Sequence, residues 1–327
     1  MKIPRSTQEM IPVKHILNDG TFVLDSGEYS KMFAFTDINY TELRDEEKMR
    51  RLVDYSALLN SIDKGIYAKI SIFFRPIRQE QFERDVLIPM NPEDELDDYR
   101  ENMNTVLREQ VRGTLGMTKQ AYLTITAGRR NDEDAAAFFA RVEGNLISSF
   151  QALGVELRAV PLSERLRLLH DIYRPGLEET FRYDAHAEKK LGMNWKDSIA
   201  PLSAEALNSC THLKIGGRYC KTLFLNAYPI YLNDRIVSDI ASIGKPMIFT
   251  IDFLPIPSAE AMAEAESRSM AIDTKIVNYT LHQQRNGNYS GSVPYKLMQR
   301  AAGVQEVMEA IQELSLIHIS EPTRLQL

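Results

Sequence analysis

Thr21-Phe-Val-Leu-Asp-Ser-Gly-Glu-Tyr-Ser-Lys-Met-Phe-Ala-Phe35 is the stretch on which the fold turns. Two alternating apolar runs, Thr21 to Leu24 and Tyr29 to Phe35, flank Asp25-Ser26-Gly27, and a short Gly-containing turn between such runs predicts a β-hairpin. Downstream, Met49, Leu52, Val53, Leu59 and Ile62 recur at helical spacing and predict an amphipathic helix over 45–62. Asp45, Glu46 and Glu47 suit the positive end of its dipole, and Gly65 stops it. Tyr67 to Phe74 reads as a strand closed by Pro76. Pro92 then opens a long helix with the stripe Leu96, Tyr99, Met103, Val106 and Leu107, which Gly113 and Gly116 end. A strand over 121–126 and a helix from Asp132 with the stripe Ala136, Phe139, Val142, Leu146, Phe150 and Leu153 follow. After Gly154 come a strand over 155–160 and a short helix from Ser163 to Tyr173.

With the long helix set aside as an insertion, this order is βαββαβ. It predicts an α+β class and a ferredoxin-like layer, one antiparallel sheet with helices on one face. Residues 1–175 form this first domain, and 176–210 read as a polar connecting segment. Thr21, Gly27, Tyr29 and Lys31 recur at one offset as Thr211, Gly217, Tyr219 and Lys221. A helix over 234–243, a strand over 247–253 closed by Pro255-Ile256, and a long helix over 258–283 then repeat the first half's order, so 211–313 reads as an incomplete second copy. The missing strand, helix and strand predict a truncated chain. Residues 314–327 break the preceding helical period and read as a non-native read-through tail.

Composition bounds the function. The chain has 327 residues, 44% apolar and 26% charged, with a formal charge of −6. That is an ordinary globular balance and not one built to coat nucleic acid or anionic lipid. Two cysteines, Cys210 and Cys220, suggest a reducing compartment. The polar start, interrupted by Pro4 and Pro12, predicts no signal peptide, and no run approaches the length of a membrane span.

Chemistry-bearing motifs are sparse. Gly244-Lys245 is followed by Pro246, which removes an N–H donor, so no phosphate loop forms there. Asp184, His186 and Glu188 alternate as strand-borne metal ligands would, but their polar segment lacks strand character. Cys210, His212 and Cys220 lack CxxC spacing and a fourth ligand. His170 and Asp171 are sequence neighbours, which do not face each other on a helix. The acidic run Glu93 to Asp98 is explained by its place at a helix start. The reading therefore assigns no catalytic, cofactor-binding or metal residue. The stripes on helices 93–115 and 258–283 read mainly as core seams that could also serve as an interaction device.

Phe33-Ala-Phe-Thr-Asp-Ile-Asn-Tyr40, Ser163-Glu-Arg-Leu-Arg-Leu-Leu-His170 with Tyr173-Arg-Pro175, Gly217-Arg-Tyr219 with Tyr228-Pro229, and Val293-Pro-Tyr295 together resemble one family. It is the conjugal-transfer (type IV secretion) ATPase family of the VirB, TrbE and CagE type, in its integrative conjugative element branch. The resemblance spans about residues 11–313. It implies a cytoplasmic, often hexameric ATPase, peripheral at the inner face of the cell membrane, which energises channel assembly and DNA transfer. The amino-terminal portion would dock on membrane components of the channel without contacting nucleic acid directly. ATP and Mg would belong to a carboxy-terminal domain that this chain lacks, so the chain by itself is expected not to be an enzyme. The rival expectations are a stand-alone protein-interaction module, an RNA-binding module presenting Tyr67, Phe73 and Phe74, and a small-molecule enzyme on an α+β scaffold, for which the sequence offers no convergent titratable residues.

Overall fold

The computed structural model describes residues 6–36, 43–62, 65–77, 79–91, 93–112, 117–206, 211–225, 239–240, 242–287 and 293–324. Outside them lie Gly113, Gly116, Cys210, Tyr228-Pro229 and most of the helix expected over 234–243. The chain is α+β and divides into two units, Met1–Phe253 and Leu254–Leu327.

The first unit is built on the expected hairpin. Strand β2 (Phe22–Leu24) turns through Gly27, at φ 87°, into β3 (Glu28–Phe35). Strand β1 (Val13–Ile16), inside the stretch read as a polar lead-in, pairs antiparallel with β2. Beyond β3 follow β5 (Met117–Gly128), β4 (Ile66–Pro76) and β10 (Met247–Phe253), each antiparallel to its neighbour. Strand β6 (Leu157–Ala159) pairs with the far end of β3, Phe33 facing Ala159. The strand over 247–253, read in sequence as part of a second copy, is thus an edge strand of this sheet, with Met247 opposite Phe74 and Phe253 opposite Ala68. Such long-range pairing has no local sequence signal.

Alternation along the strands sends side chains to two different cores. Phe33, Ala68, Ile70, Leu123 and Ile125 pack under α1 (Asp45–Asn60) and α4 (Asp132–Ala152), against Leu58, Phe139, Leu146 and Phe150. Helix α4 is capped by Asn131, whose side chain accepts from the Asp134 N–H. On the opposite face Phe73 and Tyr122, in edge-to-face contact at 5.4 Å, meet Leu168 and Ile172 of α5 (Leu162–Tyr173). The other side of α5 presents Leu166 to Phe22, Val13 and Ile199.

Buried Arg165 ties these parts together. Its guanidinium donates to the carbonyls of Gly20 (2.9 Å) and Ser30 (2.6 Å) and to Ser30 Oγ (2.8 Å), and lies 3.8 Å over the Phe22 ring. Burial pushes it down to about 9, with Asp19 acting in the opposite sense, so it stays charged at neutral pH. Gly20 admits no side chain: its φ is 84°, and a Cβ would stand 2.6 Å from the Val160 carbonyl oxygen.

Three helical readings are corrected. The long helix begins at Asp97 rather than Pro92, as α3 (Asp97–Arg112), and a further helix, α2 (Gln79–Asp85), precedes it. Helix α1 buries Leu58 with Tyr55 and Ile62 beside it, while Met49, Leu52 and Val53 face outward. Residues 185–191 form α6 (Ala185–Leu191), where Asp184 accepts from the His186 N–H at 2.8 Å. Strands β7 (Ala204–Ala206), β8 (Leu213–Ile215) and β9 (Arg218–Cys220) make a separate small sheet. Its β8–β9 turn, Gly216-Gly217, has φ 53° and 85°, the two positive values that a type I′ turn needs.

The second unit contains two helices that pack on each other, α7 (Ser258–Arg285) and α8 (Tyr295–Arg324). Met270, Val277 and Leu281 of the expected core seam on α7 are exposed, and Ala265 is its buried residue.

Candidate docking surface

Helix α3 lies in the excursion between β4 and β5, whose ends meet where Pro76 faces Met117. Its attachment is polar. Asn104, buried, donates to the Ile88 carbonyl (2.9 Å) and accepts from the Ile88 N–H (2.8 Å), a two-way bond to the loop before the helix. At the helix start Arg100 reaches both oxygens of Asp94, at 2.5 Å each, and Asp97 Oδ1 at 2.7 Å. Asp97 also accepts from the Asn91 N–H, and Asp94 from the Leu96 N–H. The Arg100 bonds and the Leu96 N–H hold Asp94 down to about 2, and the Asn91 N–H with Arg100 lowers Asp97. This network explains the late helix start: Asn91, Glu93 and Asp94 are held by side-chain bonds, and the Tyr99 and Arg100 N–H groups bond the carbonyl of Leu96, the residue just before the helix.

Because Arg100 and Asn104 take the inward face, the apolar stripe falls outside. Leu96, Tyr99, Met103 and Val106, expected as a core seam, are exposed, Tyr99 at 73%. Val86, Ile88 and Met90 of the adjoining loop are exposed too. Glu93, Glu95 and Asp98 are exposed around the start of the stripe, while Glu101, on the far side of the helix, accepts from Arg108 at 2.7 Å. Residues 79–112 carry ten Asp and Glu and four Arg, a formal charge of −6 that equals that of the whole chain.

The other candidates are placed as follows. Gly244, at φ 63°, turns the chain into β10. His186 stands on helix α6, whose period does not align alternate residues as a strand would. His212 packs edge-on against Tyr219 at 5.5 Å, and Cys220 is a half-exposed free thiol on β9. Among the described residues, no three His, Cys, Asp or Glu cluster as metal ligands would, and no helix is long and apolar enough to cross a membrane. Phe73 and Phe74 are buried, and Tyr67 donates to the Asp252 carboxylate; burial first, then that bond, pushes the phenol up to about 12.

His170 is fully buried, edge-on to Phe181 at 5.3 Å, with Nε2 3.4 Å from Thr180 Oγ1 and Nδ1 3.5 Å from Asp171 Oδ1. Asp171 continues into Arg75 (2.7 Å) and thence Gln120 (2.6 Å) and Tyr122. The expectation that His170 and Asp171 do not face each other is corrected: the ring and the carboxylate approach at 3.5 Å, while Arg75 and Gln120, which extend the network, stand far from them in the chain. Burial lowers the His170 pKa below its ordinary value, outweighing Asp171. In the window between the folded value and about 6.5 the unfolded chain binds the extra proton, so this contribution is complete above about 6.5 and shrinks as pH falls through the window. His170→Gln is expected to flatten that limb of the stability profile, measured by urea unfolding at successive pH values. An unchanged limb would contradict it.

No family model matches this chain, and no curated protein matches it.

Proposed function

We propose that this chain is the amino-terminal docking and assembly portion of a conjugative-transfer ATPase, peripheral at the inner face of the cell membrane and not an enzyme by itself. The observation that carries the reading is the α3 surface: an apolar stripe, edged with carboxylates, that the chain holds outward on a purpose-made polar network. A face of that kind serves a partner, not a reaction. The resemblance supplies the partner's class, a membrane component of the transfer channel. It also supplies the expectation of hexamer formation by the full protein, and of ATP and Mg in a domain beyond the resemblance.

We read the first unit as a ferredoxin-like layer. The support is the strand order β6-β3-β5-β4 with antiparallel neighbours throughout, and α1 and α4 together on one face. The RNA-binding alternative is disfavoured by its own residues. Phe73 and Phe74 have no exposed ring to stack on a base, and Tyr67 sits against a carboxylate that repels phosphate. The source DNA tests the family directly, since the reading frame is expected to lead into a G-x-x-x-x-G-K-[ST] phosphate loop.

A further inference from the structure

We infer that the α3 surface takes a basic amphipathic helix, a Lys- and Arg-rich protein segment with one apolar face. The inference rests on the docking reading above and names the chemistry of the partner. Leu96, Tyr99, Met103 and Val106 are spaced i, i+3, i+7 and i+10, a strip three helical turns long, the footprint an α-helical partner covers with its own i, i+3, i+7 residues. The rim is acidic. Glu93, Glu95 and Asp98 are exposed beside the strip, and the segment concentrates a charge of −6. Apolar strip and carboxylate rim together select a partner with an apolar stripe flanked by cations and oppose an anionic one.

The same charge argues against the lipid surface itself. Anionic headgroups draw polybasic segments and repel a carboxylate-rimmed face. Cytoplasmic segments next to membrane spans carry an excess of Lys and Arg, so a membrane protein offers the matching helix while its bilayer does not. Arg100 is committed to Asp94 and Asp97, and Arg108 to Glu101, which leaves Glu93, Glu95 and Asp98 to set the charge seen by the partner.

The test uses the full chain and a fluorescein-labelled 18-residue peptide with Leu on one helical face and Lys on the other, read by anisotropy. Its twin carries Glu for Lys, and a scrambled Leu/Lys peptide lacks the face. Saturable binding of the Lys peptide is expected, at least tenfold tighter than either control and weakened by salt. Tyr99→Ser with Met103→Ser should weaken it at least tenfold, and Glu95→Lys with Asp98→Lys likewise. Glu266→Lys, on α7, should leave it unchanged. These sites are exposed, and circular dichroism checks that the variants fold. Equal binding of the Glu twin or the scrambled peptide, indifference to both pairs of substitutions, or equal loss in the Glu266 variant overturns the inference. So does binding to vesicles of phosphatidylglycerol and phosphatidylcholine that the Tyr99/Met103 variant abolishes. The family reading is judged from the DNA, so the two fail separately.

Discussion

Arg165→Met is expected to lower the stability of the first unit by about 3–5 kcal/mol, because it strips a charged donor from acceptors in the interior. Three acceptors lose their partner: the Gly20 and Ser30 carbonyls and Ser30 Oγ. Methionine approximates the arginine stem and still packs on Phe22, so the loss reports the hydrogen bonds more than the volume. For a unit of this size the melting midpoint should fall by roughly 10 °C. Thermal unfolding followed by near-ultraviolet circular dichroism checks it. A fall of less than about 2 °C would mean that the three acceptors find water or other donors, and that α5 is not anchored through this side chain.

Removing residues 86–116 should do the reverse: leave the sheet and abolish the docking surface. Pro76 and Met117 face each other across β4 and β5, so residues 77–85 suffice to close the gap as a loop. Among the described side chains of the excised stretch the buried one is Asn104, and it is bonded to Ile88 in the same stretch and not to the sheet. The melting midpoint of the sheet is expected to stay within about 3 °C, on the scale of surface changes. Binding of the Leu/Lys peptide should vanish. Unfolding of the sheet would make α3 a core element and remove the basis of the docking reading.

The two results bear on what the sequence could and could not disclose. The hairpin around Gly27, strands β4 and β5, helix α4 and helix α5 are legible because their information is local: alternation, a helical stripe from Asp132, a stop at Gly154. The α+β class follows from them. Two kinds of information are not local. The first is which apolar set of a helix is buried. Met49, Leu52 and Val53 have the same period as Tyr55, Leu58 and Ile62, and only the position of α4 selects the second set. On α3 the choice is made by Asn104 and Arg100, whose partners Ile88 and Asp94 turn the polar face inward, against the usual expectation for an amphipathic helix. The second is pairing across a long separation, which sets β10 beside β4 and joins Asp171 to Arg75. The feature of greatest functional weight, the outward stripe, was therefore visible as a pattern and misplaced as a surface.

The measurement that tests the central claim most directly is a long sequencing read through the Glu313 codon in the source DNA. The account predicts an open frame that continues through strand, helix and strand and later encodes G-x-x-x-x-G-K-[ST], followed by an apolar strand ending in acidic residues. A native stop codon after Leu327 would contradict it. The chain would then be a complete protein, and the α3 surface would need a partner outside the conjugation machinery.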